Sequence, residues 1–172
     1  MQVHGALVQV LGVGVLIRGP SGVGKSETAL ELVTRGHRLV ADDVVQIGHD
    51  AGGALVGSAP AVIRHHLEIR GIGILDVPDL FGPGAVLDAG RIELLCQLEH
   101  WKAGEEYERV GLTRPQETLA GVELPCVLLP VRPSANMATL IEVAVRDHQR
   151  RPAAGSAAER IDARIRTGEI ES

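Results

Sequence analysis

The eight residues Gly19-Pro20-Ser21-Gly22-Val23-Gly24-Lys25-Ser26 constrain this chain more than any other stretch, because they match G-x-x-x-x-G-K-[ST]. Each fixed position has a physical reason. Gly19, Gly22 and Gly24 reach backbone conformations closed to residues with a Cβ, so successive N–H groups converge on an anion. Lys25 brings a mobile charge to the outer phosphates, and the Ser26 hydroxyl is placed to ligate Mg²⁺. The flanks agree with this. Val13-Gly14-Val15-Leu16-Ile17 reads as a buried strand, and Glu27 to Thr34 as a helix through Ala29, Leu30, Leu32 and Val33. Strand, loop and helix in that order aim a helix N-terminus at phosphate. A nucleotide- or phosphate-binding protein is expected.

Length and composition narrow the class. A chain of 172 residues makes one domain that buries about two-thirds of its unfolded surface. With 45% hydrophobic residues but only 2% aromatics, the core must be built from Val, Leu, Ile and Ala. A formal charge of −5 provides no electrostatic footprint for nucleic acid or an anionic membrane. No run approaches the roughly 20 apolar residues of a membrane span. Met1-Gln2-Val3-His4 shows no basic and apolar leader pattern, so a cytoplasmic protein is expected. Cys96 and Cys126 lie in separate apolar runs and read as buried free thiols, not as a disulfide or a metal knuckle.

Taken in order, residues 3–10 form a strand, and Leu11-Gly12 turns it into residues 13–18, a hairpin feeding the phosphate loop. His4 lies on that antiparallel strand and by itself reads as a partly exposed strand histidine. Gly36 stops the first helix. His37 to Ala41 is a short strand ending in Asp42-Asp43, where a phosphate-loop protein often keeps a catalytic or metal-linked carboxylate. Val44 to Val56 fits a hairpin with residues 50–53 at its tip. Pro60 to Leu67 is expected to be a short helix. Leu67 to Val77 reads as extended, with Glu68 and Arg70 on one face and Leu67 and Ile69 on the other. Alone, that pattern is also an ordinary amphipathic strand with one ion pair. Residues 79–84 are loop, and Ile92 to Leu98 a buried strand. Lys102 to Gly111 is polar, and its Arg109 reads on its own as a surface charge. Val122 to Val131 is a strand whose prolines confine it towards an edge or to its ends. A helix runs from Met137 to about His148. Pro152 to Gly155 is a linker, and Ser156-Ala157-Ala158-Glu159 is a capping box opening a last helix to about Thr167. The order of elements predicts a mixed, strand-rich α/β domain, with residues 1–150 catalytic and 151–172 a linker and C-terminal helix.

Several of these pieces together resemble the catalytic domain of bacterial HPr kinase/phosphorylase. They are His4-Gly5, residues 19–32, Arg35 to Asp43 and, most specific, Leu67-Glu68-Ile69-Arg70-Gly71-Ile72-Gly73-Ile74-Leu75-Asp76-Val77. The likeness runs from about residue 3 to residue 148. It implies a phosphate-loop kinase fold with a mixed sheet and flanking helices, assembling as a hexamer. It also implies an enzyme that uses ATP or pyrophosphate with Mg²⁺ to phosphorylate a serine of the phosphocarrier HPr. The same family removes that phosphate with inorganic phosphate, giving pyrophosphate.

By resemblance, Lys25 holds the donor β-phosphate, and Ser26 with Glu68 holds Mg²⁺. Asp42 matches the aspartate that takes the proton of the attacking serine and returns it in the reverse reaction. His4 and Arg109 match the remaining active-site histidine and arginine, while Asp43 and Arg70 support the site. The chain departs from the family in two places. Met1 falls just before His4, so a form without the N-terminal domain of full-length members is expected. The segment Pro130-Val131-Arg132-Pro133-Ser134-Ala135-Asn136 stands where the family carries Pro-Val-Lys-x-Gly-Arg-Asn, a stretch associated with dephosphorylation. Loss of that arginine removes a bidentate phosphate donor, so weak or altered phosphorylase activity is expected. Two other functions stay open on the residues alone. One is a kinase of this fold acting on another protein or a small hydroxylated metabolite, and the other is a non-catalytic nucleotide sensor.

Overall fold

The computed structural model describes residues 1–112 and 114–168. The chain begins with strands β1 (Gln2–His4), β2 (Ala6–Val10) and β3 (Val13–Arg18), the phosphate loop, and helix α1 (Lys25–Thr34). Next come β4 (Arg38–Ala41), β5 (Val44–His49), β6 (Leu55–Ser58), the hairpin β7 (His66–Ile69) and β8 (Gly73–Asp76), and the short helix α2 (Val77–Phe81). The second half holds β9 (Ala89–Arg91), β10 (Leu94–His100), β11 (Gln116–Leu119), β12 (Val122–Val131), α3 (Met137–Ala154) and α4 (Ala157–Thr167).

A six-stranded mixed sheet, in the order β11-β12-β10-β3-β2-β4, forms the middle layer. Strands β3, β10 and β12 are parallel, while β2 is antiparallel to both β3 and β4. The C-terminal ends of β12, β10, β3 and β4 therefore share one edge. Alternation explains the layers. Val15 and Ile17 point to one face, joining Leu94, Cys96 and Leu98 beneath Leu32 and Val33 of α1 and Ile141 of α3. Leu16 points to the other face, with Leu7 and Leu95 against Val45, Ile47 and Leu55 of the antiparallel sheet β1-β5-β6-β9. Burial on both faces is why the run before the phosphate loop is continuously apolar instead of alternating. Gly14 is fixed by close packing, since a Cβ there would lie 1.5 Å from the Arg91 carbonyl oxygen.

Cys96 and Cys126 fall on opposite faces of this sheet, and both are free thiols. Burial pushes the Cys96 thiol up to about 12.

Several expectations need correction. Residues 60–67 are not a helix but one 3₁₀ turn, Ala61–Ile63, followed by β7. The turn buries no side chain, with Val62 92% exposed, whereas Leu67 and Ile69 bury at the period of a strand. Residues 77–81, expected to be extended and loop, form α2, because the Asp76 carboxylate accepts from the Asp79 N–H and caps it. Strand β12 is covered by β11 along its first half, through Pro125, while its second half pairs only with β10 among the described strands and carries Pro130 one residue from its end. The expected linker at 152–155 is instead the last turn of α3, which continues through Pro152 to Ala154. Asp147 holds that turn, bound by Arg114 at 2.6 Å and Arg151 at 2.7 Å, and the Gly155 N–H closes it on the Arg151 carbonyl. The capping box at Ser156 and Glu159 forms as expected. Residues 169–172 of the expected C-terminal unit lie outside the described residues.

Candidate functional site

The phosphate loop leaves β3 and enters α1 through glycines that need their freedom. Gly22 has φ 81° and Gly24, the N-cap of α1, has φ 101°. At Gly19 a Cβ would sit 2.6 Å from the Leu98 carbonyl oxygen, so the neighbouring strand β10 fixes where the loop starts. Val23 is buried beneath the loop, and its N–H bonds the Pro20 carbonyl at 3.2 Å. The Lys25 ammonium donates to the carbonyl oxygens of Gly19 at 2.8 Å and Pro20 at 3.0 Å, arching over the loop.

Asp42 comes to the same edge from the end of β4. Only 6% of it is exposed, and the Ser26 hydroxyl donates to its Oδ2 at 2.9 Å. Backbone N–H groups of Asp43 and Glu68 also donate to this carboxylate. Burial nevertheless dominates and holds the Asp42 carboxyl above the ordinary aspartate range. Asp43 makes the turn into β5 with φ 66°, in the left-handed region that non-glycine residues rarely enter. Its carbonyl accepts from the Gly5 N–H at 3.1 Å, which seats the neighbouring His4 at the cavity. The β7–β8 hairpin supplies the opposite wall. Burial of Leu67 and Ile69 turns Glu68 outward, and Arg70 follows in the hairpin turn.

These elements enclose a cavity of about 670 Å³, within the size range of small-molecule sites. His4, Lys25, Ser26, Asp42, Asp43, Glu68 and Arg70 line it, together with Gly19, Ser21, Gly22 and Gly24 of the loop. Glu27 lines it too and was not singled out from sequence; an acid in the first turn behind a phosphate loop was the available signal. Its four carboxylates, Glu27, Asp42, Asp43 and Glu68, face the cations Lys25 and Arg70. An acid-rich wall admits a polyphosphate only with added positive charge. The donor set fits Mg²⁺, since Ser26 and Glu68 offer hard oxygens and this ion keeps waters and phosphate oxygens as its other ligands.

Two sequence candidates lie elsewhere. Arg109 is exposed on the segment between β10 and β11 and is not among the cavity's lining residues. Residues 130–135 also lie outside that lining. Pro130 and Val131 end β12, Arg132, Pro133 and Ser134 are exposed, and the Ala135 N–H closes a turn on the Arg132 carbonyl at 3.0 Å. Asn136 then caps α3 and donates to Glu31 of α1 at 2.7 Å, joining this segment to the helix that follows the phosphate loop.

A mixed sheet with a phosphate loop at its C-terminal edge, a helix N-terminus behind the loop and a buried acid beside it defines a phosphate-loop α/β domain. The chain belongs to the HPr Serine kinase C-terminal domain family, whose sequence model matches residues 1–165. It is 52% identical over 162 residues to the HPr kinase/phosphorylase of Caldicellulosiruptor bescii, covering 94% of this chain and 52% of that protein. It is 58% identical over 146 residues to the HPr kinase/phosphorylase of an Exiguobacterium species, covering 85% and 47%. The chain thus spans about half the length of the curated relatives it matches. Among solved structures, the Hpr(Ser) kinase/phosphatase from Coxiella burnetii is similar, with a TM-score of 0.82, 33% identity and 99% of both chains covered.

Proposed function

We propose that this chain is the catalytic unit of a serine kinase that phosphorylates HPr, using ATP or pyrophosphate with Mg²⁺. The observation that carries this reading is Asp42. A carboxylate 6% exposed, hydrogen-bonded to the phosphate-loop serine and raised above its ordinary range is a general base beside the place where an outer phosphate binds. A pure sensor has no need of such a group.

Loop N–H groups and Lys25 hold the donor's outer phosphates. The HPr serine hydroxyl attacks the terminal phosphorus, its proton passes to an Asp42 carboxylate oxygen, and the donor leaves as ADP or inorganic phosphate. In the reverse direction Asp42 returns that proton while inorganic phosphate takes the phosphoryl group. Ser26 and Glu68 would hold Mg²⁺, which neutralises charge on the phosphates when bound. His4 and Arg70 face the same space, and the resemblance assigns Arg109 to the transferring phosphoryl.

The exposed apolar stripe Ile161 and Ile165 of α4, separated by one helical turn, is offered to HPr. Assembly as a hexamer and a cytoplasmic location follow from the resemblance. No helix among the described residues is long and apolar enough to cross a membrane. With Ser134 and Ala135 in place of a glycine and an arginine, kinase activity is retained and phosphorolysis is weakened. The test supplies purified HPr with either ATP or pyrophosphate and Mg²⁺. Phosphoserine formed with at least one donor is the expected result, and no transfer with donor bound would redirect the reading to another acceptor.

A further inference from the structure

Arg132 is engaged in a way that the cavity does not account for. Strands β12, β10 and β3 are parallel neighbours, so Arg132, Trp101 and Gly19 follow their ends along one edge. Two strand spacings separate β12 from β3 by about 10 Å laterally, and the shared register through Gln97 sets Arg132 three residues, about another 10 Å, beyond the level of Gly19 along the strands. Its guanidinium lies over the ring of Trp101, with Cζ 4.5 Å from the centroid. The ring itself is well held. Tyr107 stacks on it at 4.7 Å, and the Trp101 backbone N–H donates to the Val131 carbonyl at 3.4 Å. The Lys102 N–H donates to the Tyr107 hydroxyl at 3.1 Å, which folds the segment back on the stack.

The ring is a weak partner for an arginine. Trp101 is 44% exposed, and a water-exposed cation–π contact is much weaker than a guanidinium bidentate on phosphate. Lys25 shows the same economy, donating to carbonyls of its own loop. Lys25 lines the acid-rich cavity and Arg132 lies outside its lining on the same sheet edge, and the cavity requires positive charge before a polyphosphate can settle.

We propose that Trp101 is a positioning residue whose ring is a berth for Arg132, and that Arg132 leaves it to hydrogen-bond a phosphate group above the phosphate loop. This rests on the reading of the cavity as a polyphosphate site. The ligand class is a phosphate dianion, either free inorganic phosphate or the outer phosphoryl group of the donor.

Trp101 is the chain's single tryptophan, so its emission reports the berth directly. The experiment titrates the full chain with MgATP and, separately, with inorganic phosphate and Mg²⁺, while equilibrium dialysis measures binding independently. The expected result is a saturable emission change in the native chain that ends at the spectrum of unliganded Arg132→Ala. That exposed-site variant shows no ligand-driven change and binds about ten-fold more weakly, the lower range for a charge-assisted hydrogen bond. A response to phosphate alone assigns the contact to the free anion, and a response to MgATP alone assigns it to the donor. Either ligand bound with Trp101 emission unchanged, or an equal change in Arg132→Ala, overturns the berth and leaves the cavity's reading intact. Failure of both ligands to bind overturns the two together.

Discussion

Asp42 combines burial with three hydrogen-bond donors, and the balance between them sets its chemistry. The Ser26 hydroxyl and two backbone N–H groups favour the charged form, but desolvation outweighs them and raises the pKa above 3.8. Two consequences follow. In the proposed mechanism transfer needs the carboxylate, so kcat/KM should rise with pH through the raised value, an acid limb displaced above the ordinary aspartate range. The stability effect has the same origin. A folded pKa above the unfolded one means that the folded state binds the proton more tightly. The group's contribution is then fully present below 3.8 and is lost as pH rises through the folded value. Thermal unfolding of the native chain and Asp42→Asn across that window checks this. The difference between them should change with pH in the native chain's favour on the acid side, and parallel pH profiles would contradict it. Lys25 and Ser26 were legible because the loop motif fixes its own local geometry. Arg109 was singled out only by resemblance and lies outside the cavity's lining, since nothing local decides where a polar loop carries its charge.

At the scale of elements, what could be read from sequence was what carries its own local signal. The phosphate loop, the Leu11-Gly12 turn and the capping box at Ser156 form where their chemistry demands. Strands β9 and β11 were missed because Ala89–Arg91 and Gln116–Leu119 have no apolar run and exist through their partners β6 and β12. The same holds for α3, whose last turn survives Pro152 because of contacts to Asp147 that no local pattern announces. Helix α4 separates stability from recognition. None of its own residues is buried, so Ile161→Glu with Ile165→Glu should leave the unfolding midpoint within a degree or two and weaken HPr binding at least ten-fold. Calorimetric titration with HPr reads that loss, and unchanged affinity would remove α4 from the docking surface. Ser156→Ala takes away the cap and should cost about 1 kcal/mol locally, visible as faster amide exchange in α4 alone.

Across the whole molecule, one sheet links stability to function. Its C-terminal edge presents the phosphate loop, Trp101, Arg132 and Asp42 from four strand ends, and its two faces are each covered by a buried apolar layer. That arrangement is the general one for ligand sites in open α/β sheets. The continuous apolar run Val15, Leu16 and Ile17 was readable as a buried strand, but the antiparallel sheet over its second face was not, because β5 and β6 announce only a hairpin. Leu16 is fully buried between the two sheets. Leu16→Ala should therefore cost about 3 kcal/mol, a substantial part of the 5–15 kcal/mol typical of a domain. Urea unfolding at constant m-value measures it, and a loss under about 1 kcal/mol would mean that the two sheets are packed less tightly than described.

The central claim is that Asp42 carries the acceptor's proton beside a phosphate loop that binds the donor without it. Single-turnover phosphoryl transfer from ATP to HPr, measured alongside nucleotide binding for the native chain and Asp42→Asn, tests it most directly. The account predicts nucleotide affinity within a few-fold of native and a transfer rate lower by at least 10²-fold, the contribution of a positioned general base. A variant that transfers phosphate to the HPr serine at the native rate would contradict it.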